Sequence, residues 1–165
     1  MVLSLQTKKC IDFFYLLFNF HDIKFYKKFS GAFLKNQNSC LLIFENGKIN
    51  VTGVKSVHQA KREVHDFLTQ LEPSTGWRIY DLKIVNITMS TTIPIIIKFD
   101  KIPPSGSRSI SYEPELFPGI HFRDNNKDKL IIIIHFNKKL IVTGGKTKKE
   151  CIEYYKKFIE FYNKL

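Results

Sequence analysis

The stretch Leu42-Ile-Phe-Glu-Asn-Gly-Lys-Ile-Asn-Val-Thr-Gly-Val-Lys55 recurs as Ile133-Ile-His-Phe-Asn-Lys-Lys-Leu-Ile-Val-Thr-Gly-Gly-Lys146, at a constant offset of 91 residues. Ile43/Ile134, Asn46/Asn137, Lys48/Lys139, Val51/Val142, Thr52/Thr143, Gly53/Gly144 and Lys55/Lys146 are identical across it. Copies of about 80 residues are too long for solenoid units and read as a duplicated half-domain with pseudo-twofold symmetry.

Each copy has the same grammar. Two β-rich runs flank a short polar turn, Glu45-Asn46-Gly47 in the first copy and Phe136-Asn137-Lys138 in the second. Asn-Gly between apolar runs is a strong hairpin signal. A Thr-Gly break follows, then a helix. Ser56 is placed to cap the first helix, with Val57, Ala60, Val64, Phe67, Leu68 and Leu71 on one stripe. Thr147 is placed to cap the second, with Glu150 completing a capping box. Its expected stripe is Cys151, Ile152, Tyr155, Phe158, Ile159 and Tyr162. Pro73 ends the first helix, and residues 73–77 read as the junction between halves. Pro103-Pro104-Ser105-Gly106-Ser107 reads as a loop.

The strands alternate faces with period two. Leu41, Ile43, Ile49 and Val51 point one way, toward the helix. Leu42, Phe44, Asn50 and Thr52 point the other way, as do Ile133, His135, Ile141 and Thr143 in the second copy. This far face is also largely apolar, and no sequence element is left over to cover it. Such a face marks a binding surface, a dimer contact, or the seat of an unrecognised helix.

Composition narrows the function. The chain has 165 residues and a formal net charge of +11, which points to an acidic partner, nucleic acid first, or on charge alone to a merely soluble basic protein. No apolar run approaches the roughly 18 residues of a membrane span. Lys8 and Lys9 precede Ile11–Phe20 (IDFFYLLFNF). Asp12 interrupts that run and no small-residue cleavage site follows, so it reads as a buried, aromatic-rich helix rather than a signal peptide. Cys10, Cys40 and Cys151 form no CxxC and no disulfide framework, which fits a reducing compartment. Histidines 21, 58, 65, 121 and 135 show no paired ligand spacing, and no nucleophile-elbow, Walker or dinucleotide motif occurs. The expectation is a protein that is not an enzyme and has no cofactor and no metal site.

In the second copy stands Ser111-Tyr-Glu-Pro-Glu-Leu-Phe-Pro-Gly-Ile120, followed after a gap by Ile141-Val-Thr-Gly-Gly-Lys146. With the first-copy blocks Leu42–Lys48 and Val51–Lys55, the chain resembles the core of the TATA-box-binding protein family over nearly its whole length. The resemblance implies an α+β fold: a saddle-shaped, curved antiparallel sheet of about ten strands, with helices on the convex face. It implies a single core over 1–165, with repeats 1–74 and 75–165.

It also implies residue roles. The family's DNA wedges fall on Phe29, Phe44 and Phe117, and the fourth on His135, unless the turn has lost a residue and Phe136 slides into place. One asparagine per repeat lies at the centre of the groove. Asn86 matches the second, and Ser4 or Gln6 stands nearest the first. Minor-groove floor contacts fall on Leu42, Asn50, Thr52, Asn86, Ile133, Ile141 and Thr143, with Asn50 where the family usually has valine. Phosphate contacts fall on Lys35, Lys48, Lys55, Arg123, Lys139 and Lys146. Glu113 and Glu115 lie in the loop that meets a TFIIB-like factor. The implied partners are double-stranded A/T-rich promoter DNA, the TFIIB-like factor, a TFIIA-like factor and the RNA polymerase machinery, with no membrane.

The implied function is a general transcription initiation factor that bends promoter DNA. The competing reading is a protein-interaction platform on the same fold, with weak or altered DNA specificity. Self-association through the concave face stays open. Heavy use of Ile, Lys, Asn and Phe suggests an A-T-biased genome, as in a parasite or a large DNA virus. The expected location is the nucleus, or a cytoplasmic factory for a virus.

Overall fold

A computed structural model describes residues 1–73, 78–93, 110–123 and 129–163. Among these residues there are ten strands and three helices, in two compact units, Met1–Val85 and Asn86–Leu165. Most of the junction expected at 73–77, and the Pro103–Ser107 loop, lie outside the described residues. The units separate at Val85/Asn86, inside a strand.

The first unit holds β1 (Val2–Thr7), α1 (Phe13–Asn19), β2 (Ile23–Phe25), β3 (Ala32–Lys35), β4 (Cys40–Ile43), β5 (Lys48–Thr52) and α2 (Val57–Leu71). Its strands pair antiparallel in the order β2-β3-β4-β5-β1. The rows Leu34–Leu41–Val51–Leu3 and Ala32–Ile43–Ile49–Leu5 are buried throughout. They meet Ala60, Val64, Phe67, Leu68 and Leu71 of α2 in one core. Each large side chain so buried contributes about 1.5–3 kcal/mol. Leu68→Ala would leave a cavity and remove about 2–5 kcal/mol.

Ser56 caps α2, its Oγ accepting from the Gln59 amide at 3.1 Å, and the Gln59 carboxamide reaches back to accept from Lys55 N at 3.0 Å. The helix ends at Leu71, just ahead of Pro73.

The second unit repeats the plan. The strand β6 (Ile79–Thr92) crosses into it, and β7 (Ile110–Tyr112), β8 (Gly119–Phe122), β9 (Ile131–His135), β10 (Lys139–Gly145) and α3 (Lys148–Tyr162) complete it. The pairings β7-β8, β8-β9, β9-β10 and β10-β6 are all antiparallel. Phe122 is the largest fully buried side chain, its ring 5.2 Å from Phe158 and 6.0 Å from Tyr154 of α3. The capping box forms as expected: Thr147 Oγ1 accepts from Glu150 N at 3.1 Å, and Glu150 Oε2 accepts from Thr147 N at 3.3 Å.

Three expectations are corrected. The segment Ile11–Phe20 does form a helix, but of the helix proper only Leu16 is buried, and most of its aromatic side chains face solvent. In α3 the buried set is Cys151, Tyr154 and Phe158, while Ile152 is exposed. The spacing i, i+3, i+7 fits one stripe as well as the spacing chosen from sequence, and packing against Phe122 decides between them. The repeat offset is also not constant. It is 91 from β4/β9 onward, but Gly31 and Gly119, at matching places before β3 and in β8, stand 88 apart.

Candidate nucleic-acid interface

Directly paired residues share a sheet face. In the first unit the face opposite the helices carries the row Phe33–Leu42–Asn50–Ser4, with Cys40 and Thr52 beside it, all half-buried. In the second unit the row is Ser111–His121 on β7-β8, then Ile133, Ile141 and Ser90, with Thr143 alongside. The alternation read from sequence is therefore the one that folds: one face is sealed and the other is open, apolar and weakly polar.

Aromatic clusters stand at one edge of each open face. Phe29 contacts Phe33 at 4.6 Å and Phe44 at 5.5 Å between ring centroids. In the second unit Phe117 stacks on His121 at 4.8 Å and meets His135 at 5.6 Å. The two triads correspond member for member. A glycine lies under each: a Cβ on Gly31 would sit 2.6 Å from Phe29 Cε1, and one on Gly119 would sit 2.7 Å from Phe117 Cε1. Only glycine lets the ring lie that close to the strand. Neither glycine nor His121 was singled out from the sequence. The signal lay in aligning the copies at an offset of 88 upstream of the gap.

His135, not Phe136, is the counterpart of Phe44 in the second turn. The turns 44–48 and 135–139 close identically: Gly47 N donates to Phe44 O at 3.0 Å, and Lys138 N donates to His135 O at 3.0 Å. Asn46 and Asn137 each accept from the amide two residues on, Lys48 N and Lys139 N, at 3.1 Å. No residue is missing from the second turn. Phe136 is the solvent-facing counterpart of Glu45, with its ring 6.0 Å from Tyr112.

Asn86 is fixed by two bonds. Its Oδ1 accepts from Gly144 N at 2.8 Å, and its Nδ2 donates to Thr143 Oγ1 at 3.3 Å. Thr143 also shares a hydrogen bond of 2.9 Å with Thr88. The backbone donor fixes the amide's orientation and leaves one Nδ2 proton to give. Gly144 adopts φ +98°, as Gly53 adopts +84°, and a Cβ on either would strike a backbone carbonyl, that of Lys129 or Asn38. This explains the Thr-Gly break. The β1 and β6 registers set Leu3 opposite Val51 and Met89 opposite Val142, so Ser4 matches Ser90 and Gln6 matches Thr92. Neither is the counterpart of Asn86, and Gln6 is instead spent on Asn46 O at 2.6 Å.

Asn50 sits in the centre of its row with its Oδ1 buried and unpaired. Lys35, Lys48, Lys55, Arg123, Lys139 and Lys146 are exposed, and none forms an ion pair among the described residues. Lys55 N and Lys146 N are held at equivalent places by Gln59 and Glu150, at 3.0 and 2.8 Å. Glu113 and Glu115 are exposed in the turn between β7 and β8, where Glu113 O accepts from Leu116 N and Phe117 N. Leu116, also exposed there, puts an apolar side chain beside the two carboxylates.

Burial, with help from Arg123 and His135, holds the His121 pKa below its usual value, against a smaller opposite pull from Glu113. Burial thus favours the neutral form of the imidazole stacked on Phe117. Burial raises the thiols of Cys40 and Cys151 above their usual value, so neither is a poised thiolate. No cluster of three metal-ligating side chains occurs among the described residues.

Fold and face together define a duplicated α+β protein whose two halves each present an open sheet edged by aromatic rings and unpaired cations. The family described as "Transcription factor TFIID (or TATA-binding protein, TBP)" matches residues 4–73 and 81–165. The chain is 33% identical to the TATA-box-binding protein of Archaeoglobus fulgidus over 131 residues, which cover 76% of this chain and 70% of that one. It is 29% identical to the Tetrahymena thermophila TATA-box-binding protein over 135 residues, spanning 79% of this chain and 54% of that one. Its structure resembles that of Methanococcus jannaschii TBP with a TM-score of 0.82 and 25% identity, over 99% of this chain and 95% of the other. The chain belongs to the TATA-binding protein family of transcription factors, and its α+β fold is the TBP-like fold expected from the sequence.

Proposed function

We propose that the chain is a TATA-box-binding transcription initiation factor that grips A/T-rich promoter DNA through the minor groove, bends it, and recruits a TFIIB-like factor. The observation that carries this reading is the pair of matched aromatic triads, Phe29–Phe33–Phe44 and Phe117–His121–His135, each at the edge of an open apolar face. Ring edges so held are suited to enter between base steps and unstack them. Pyrimidine–purine steps such as TA unstack most cheaply.

The floor is suited to the same groove. Leu42, Ile133 and Ile141 offer no hydrogen-bonding groups, and Thr52 and Thr143 offer small ones. An A·T minor groove presents acceptors only, whereas G·C adds an amino donor that a close apolar floor rejects. The free Nδ2 proton of Asn86 complements an A·T acceptor. Phe29, Phe44, Phe117 and His135 act as wedges; Leu42, Asn50, Thr52, Asn86, Ile133, Ile141 and Thr143 form the floor. Lys35, Lys48, Lys55, Arg123, Lys139 and Lys146 neutralise phosphates. Glu113 and Glu115, with the exposed Leu116 next to them in the chain, meet a basic TFIIB-like surface. The work is non-catalytic and takes place on chromosomal DNA, in the nucleus of a nucleated cell.

The test is a bend measurement. A short TATA duplex carries a donor and an acceptor dye at its ends, and energy transfer is read at one fixed salt concentration, against a G·C duplex. A TATA-selective shortening that Phe44→Ala and Phe117→Ala abolish is expected. Binding without shortening, or equal response to both duplexes, overturns the proposal in favour of a protein-interaction platform.

A further inference from the structure

We infer that the groove between α2 and the first residues of β6 is a binding site for a nucleoside diphosphate, separate from the open sheet face. The groove encloses a cavity of about 590 Å³, within the range of small-molecule sites. One wall is a stripe of α2, His58, Lys61, Arg62 and His65, at the i, i+3, i+4 and i+7 spacing that sets side chains on one helix face. The other wall is Ile79, Tyr80, Asp81 and Leu82 of β6. Ile79 and Leu82 pack on the core beneath α2 and lay an apolar strip beside the cations. Both walls belong to the first unit.

The charge of the basic wall is not neutralised within the protein. His58, Lys61 and Arg62 form no ion pair among the described residues, and His65 stands 3.7 Å from Asp66 with both side chains largely exposed. The other carboxylates nearby are engaged elsewhere: Asp81 holds Lys83 at 2.6 Å, and Glu63 accepts from Asn36. Lys8 adds positive potential at the strand wall, its Nζ 5.1 Å from the centre of the Tyr80 ring. The Tyr80 hydroxyl is buried without a hydrogen-bond partner, a deficit that native structures rarely leave unfilled. The matching stripe of α3, 91 residues on, is Lys149, Ile152, Glu153 and Lys156, and there Lys149 pairs with Glu153 at 3.9 Å. The second copy thus offsets its own charge, and the basic wall belongs to the first copy alone.

The lining selects the ligand. A guanidinium takes two phosphate oxygens in parallel, and an ammonium takes a third as a point charge. His58 and His65 lie about 10 Å apart along the helix, so the stripe has room for a diphosphate rather than a single phosphate. Ile79 and Leu82 offer a surface for a planar apolar body such as a base. A ligand oxygen at the strand wall would give the Tyr80 hydroxyl the partner it lacks. A carboxylate-rich peptide would meet the stripe but leave the apolar strip and the hydroxyl unfilled.

The experiment titrates ADP, inorganic pyrophosphate and adenosine separately into the full chain, at one fixed moderate salt concentration, by isothermal calorimetry. ADP is expected to bind with a Kd on the order of 100 μM, as befits an open site. Pyrophosphate is expected to bind at least fivefold more weakly, and adenosine not measurably. Lys61→Gln combined with Arg62→Gln is expected to weaken ADP binding at least tenfold with the melting temperature unchanged, because both side chains are exposed. Tyr80→Phe is expected to weaken it at least threefold without lowering the melting temperature, because the hydroxyl makes no bond in the free chain. Lys149→Gln combined with Lys156→Gln removes the same charge from α3 and is expected to leave ADP affinity unchanged. Absence of ADP binding, an affinity that the α2 double variant or Tyr80→Phe leaves unchanged, or an equal loss in the α3 double variant overturns the proposal. So does a hexaglutamate peptide that binds the parent more tightly than ADP, since the stripe would then be a face for acidic protein.

Discussion

At Asn86 the structural role and the proposed DNA-facing role can be separated by one atom. In Asn86→Asp the acceptor for Gly144 N, now at 2.8 Å, is kept and becomes charged. A hydrogen bond to a charged group contributes about 1.5–3 kcal/mol, against about 0.5–1.5 for a neutral one. Thr143, which accepts from Nδ2 at 3.3 Å, can rotate its hydroxyl and donate instead. The melting temperature of N86D is therefore expected within a few degrees of the parent. Toward DNA the change removes the free donor and sets a carboxylate against groove acceptors. Losing the bond and leaving an unpaired charge together cost at least about 3 kcal/mol, or over a hundredfold in affinity. Asn86→Ala is expected to differ, losing stability by about 1–3 kcal/mol because Gly144 N is orphaned. Thermal denaturation reads the first quantity, and fluorescence anisotropy on a TATA duplex at fixed salt reads the second. If N86D binds TATA within threefold of the parent, Asn86 does not face the bases and the reasoning fails.

Gly119→Ala sets a methyl 2.7 Å from Phe117 Cε1, so the ring must shift by several tenths of an ångström; DNA bending is expected to fall by energy transfer while overpacking costs about 1–3 kcal/mol in denaturant melts. His135→Phe gives the second triad the ring of the first, and is expected to tighten TATA binding roughly threefold to tenfold, since a stacked base contributes about 1–3 kcal/mol; unchanged affinity would remove His135 from the wedges. The folded pKa of His121 lies below its ordinary value of 6.5. Its neutral form thus contributes stability that is complete above that value and is lost as pH falls through it toward the folded pKa, so melting temperature should drop between pH 7.5 and 5, and less in His121→Phe, the residue at the matching place, Phe33.

The duplicated hairpins, the sealed and open sheet faces, and both helix caps were legible because each rests on a local rule. The alternation of Leu41, Ile43, Ile49 and Val51 is a period-two signal, and Ser56 and Thr147 are cap-forming residues immediately before helices whose apolar residues recur at helical spacing. What sequence reasoning missed depends on tertiary packing. Phe14, Phe18 and Leu17 look like core by composition, yet α1 is too short to bury more than one narrow side, and Leu16 fills it. Tyr154 displaces Ile152 from the core of α3 because Phe122 supplies an aromatic partner on that side. His121 and Gly119 escaped notice because the copies are three residues out of step upstream of β9. The roles of the wedge, floor and phosphate residues came from resemblance, since a half-buried leucine or an exposed lysine carries no signature of its ligand.

The two aromatic triads differ in chemistry: one is all phenylalanine, and the other contains two imidazoles. A perfectly duplicated binder would sit on a near-palindromic site in either of two directions with equal ease. If the triads enter the groove as proposed, their unequal rings break that tie, because each favours a different half of the site. A difference of only 1.4 kcal/mol between the two placements gives a tenfold bias. On the proposed function, the difference between the triads sets a direction along the DNA.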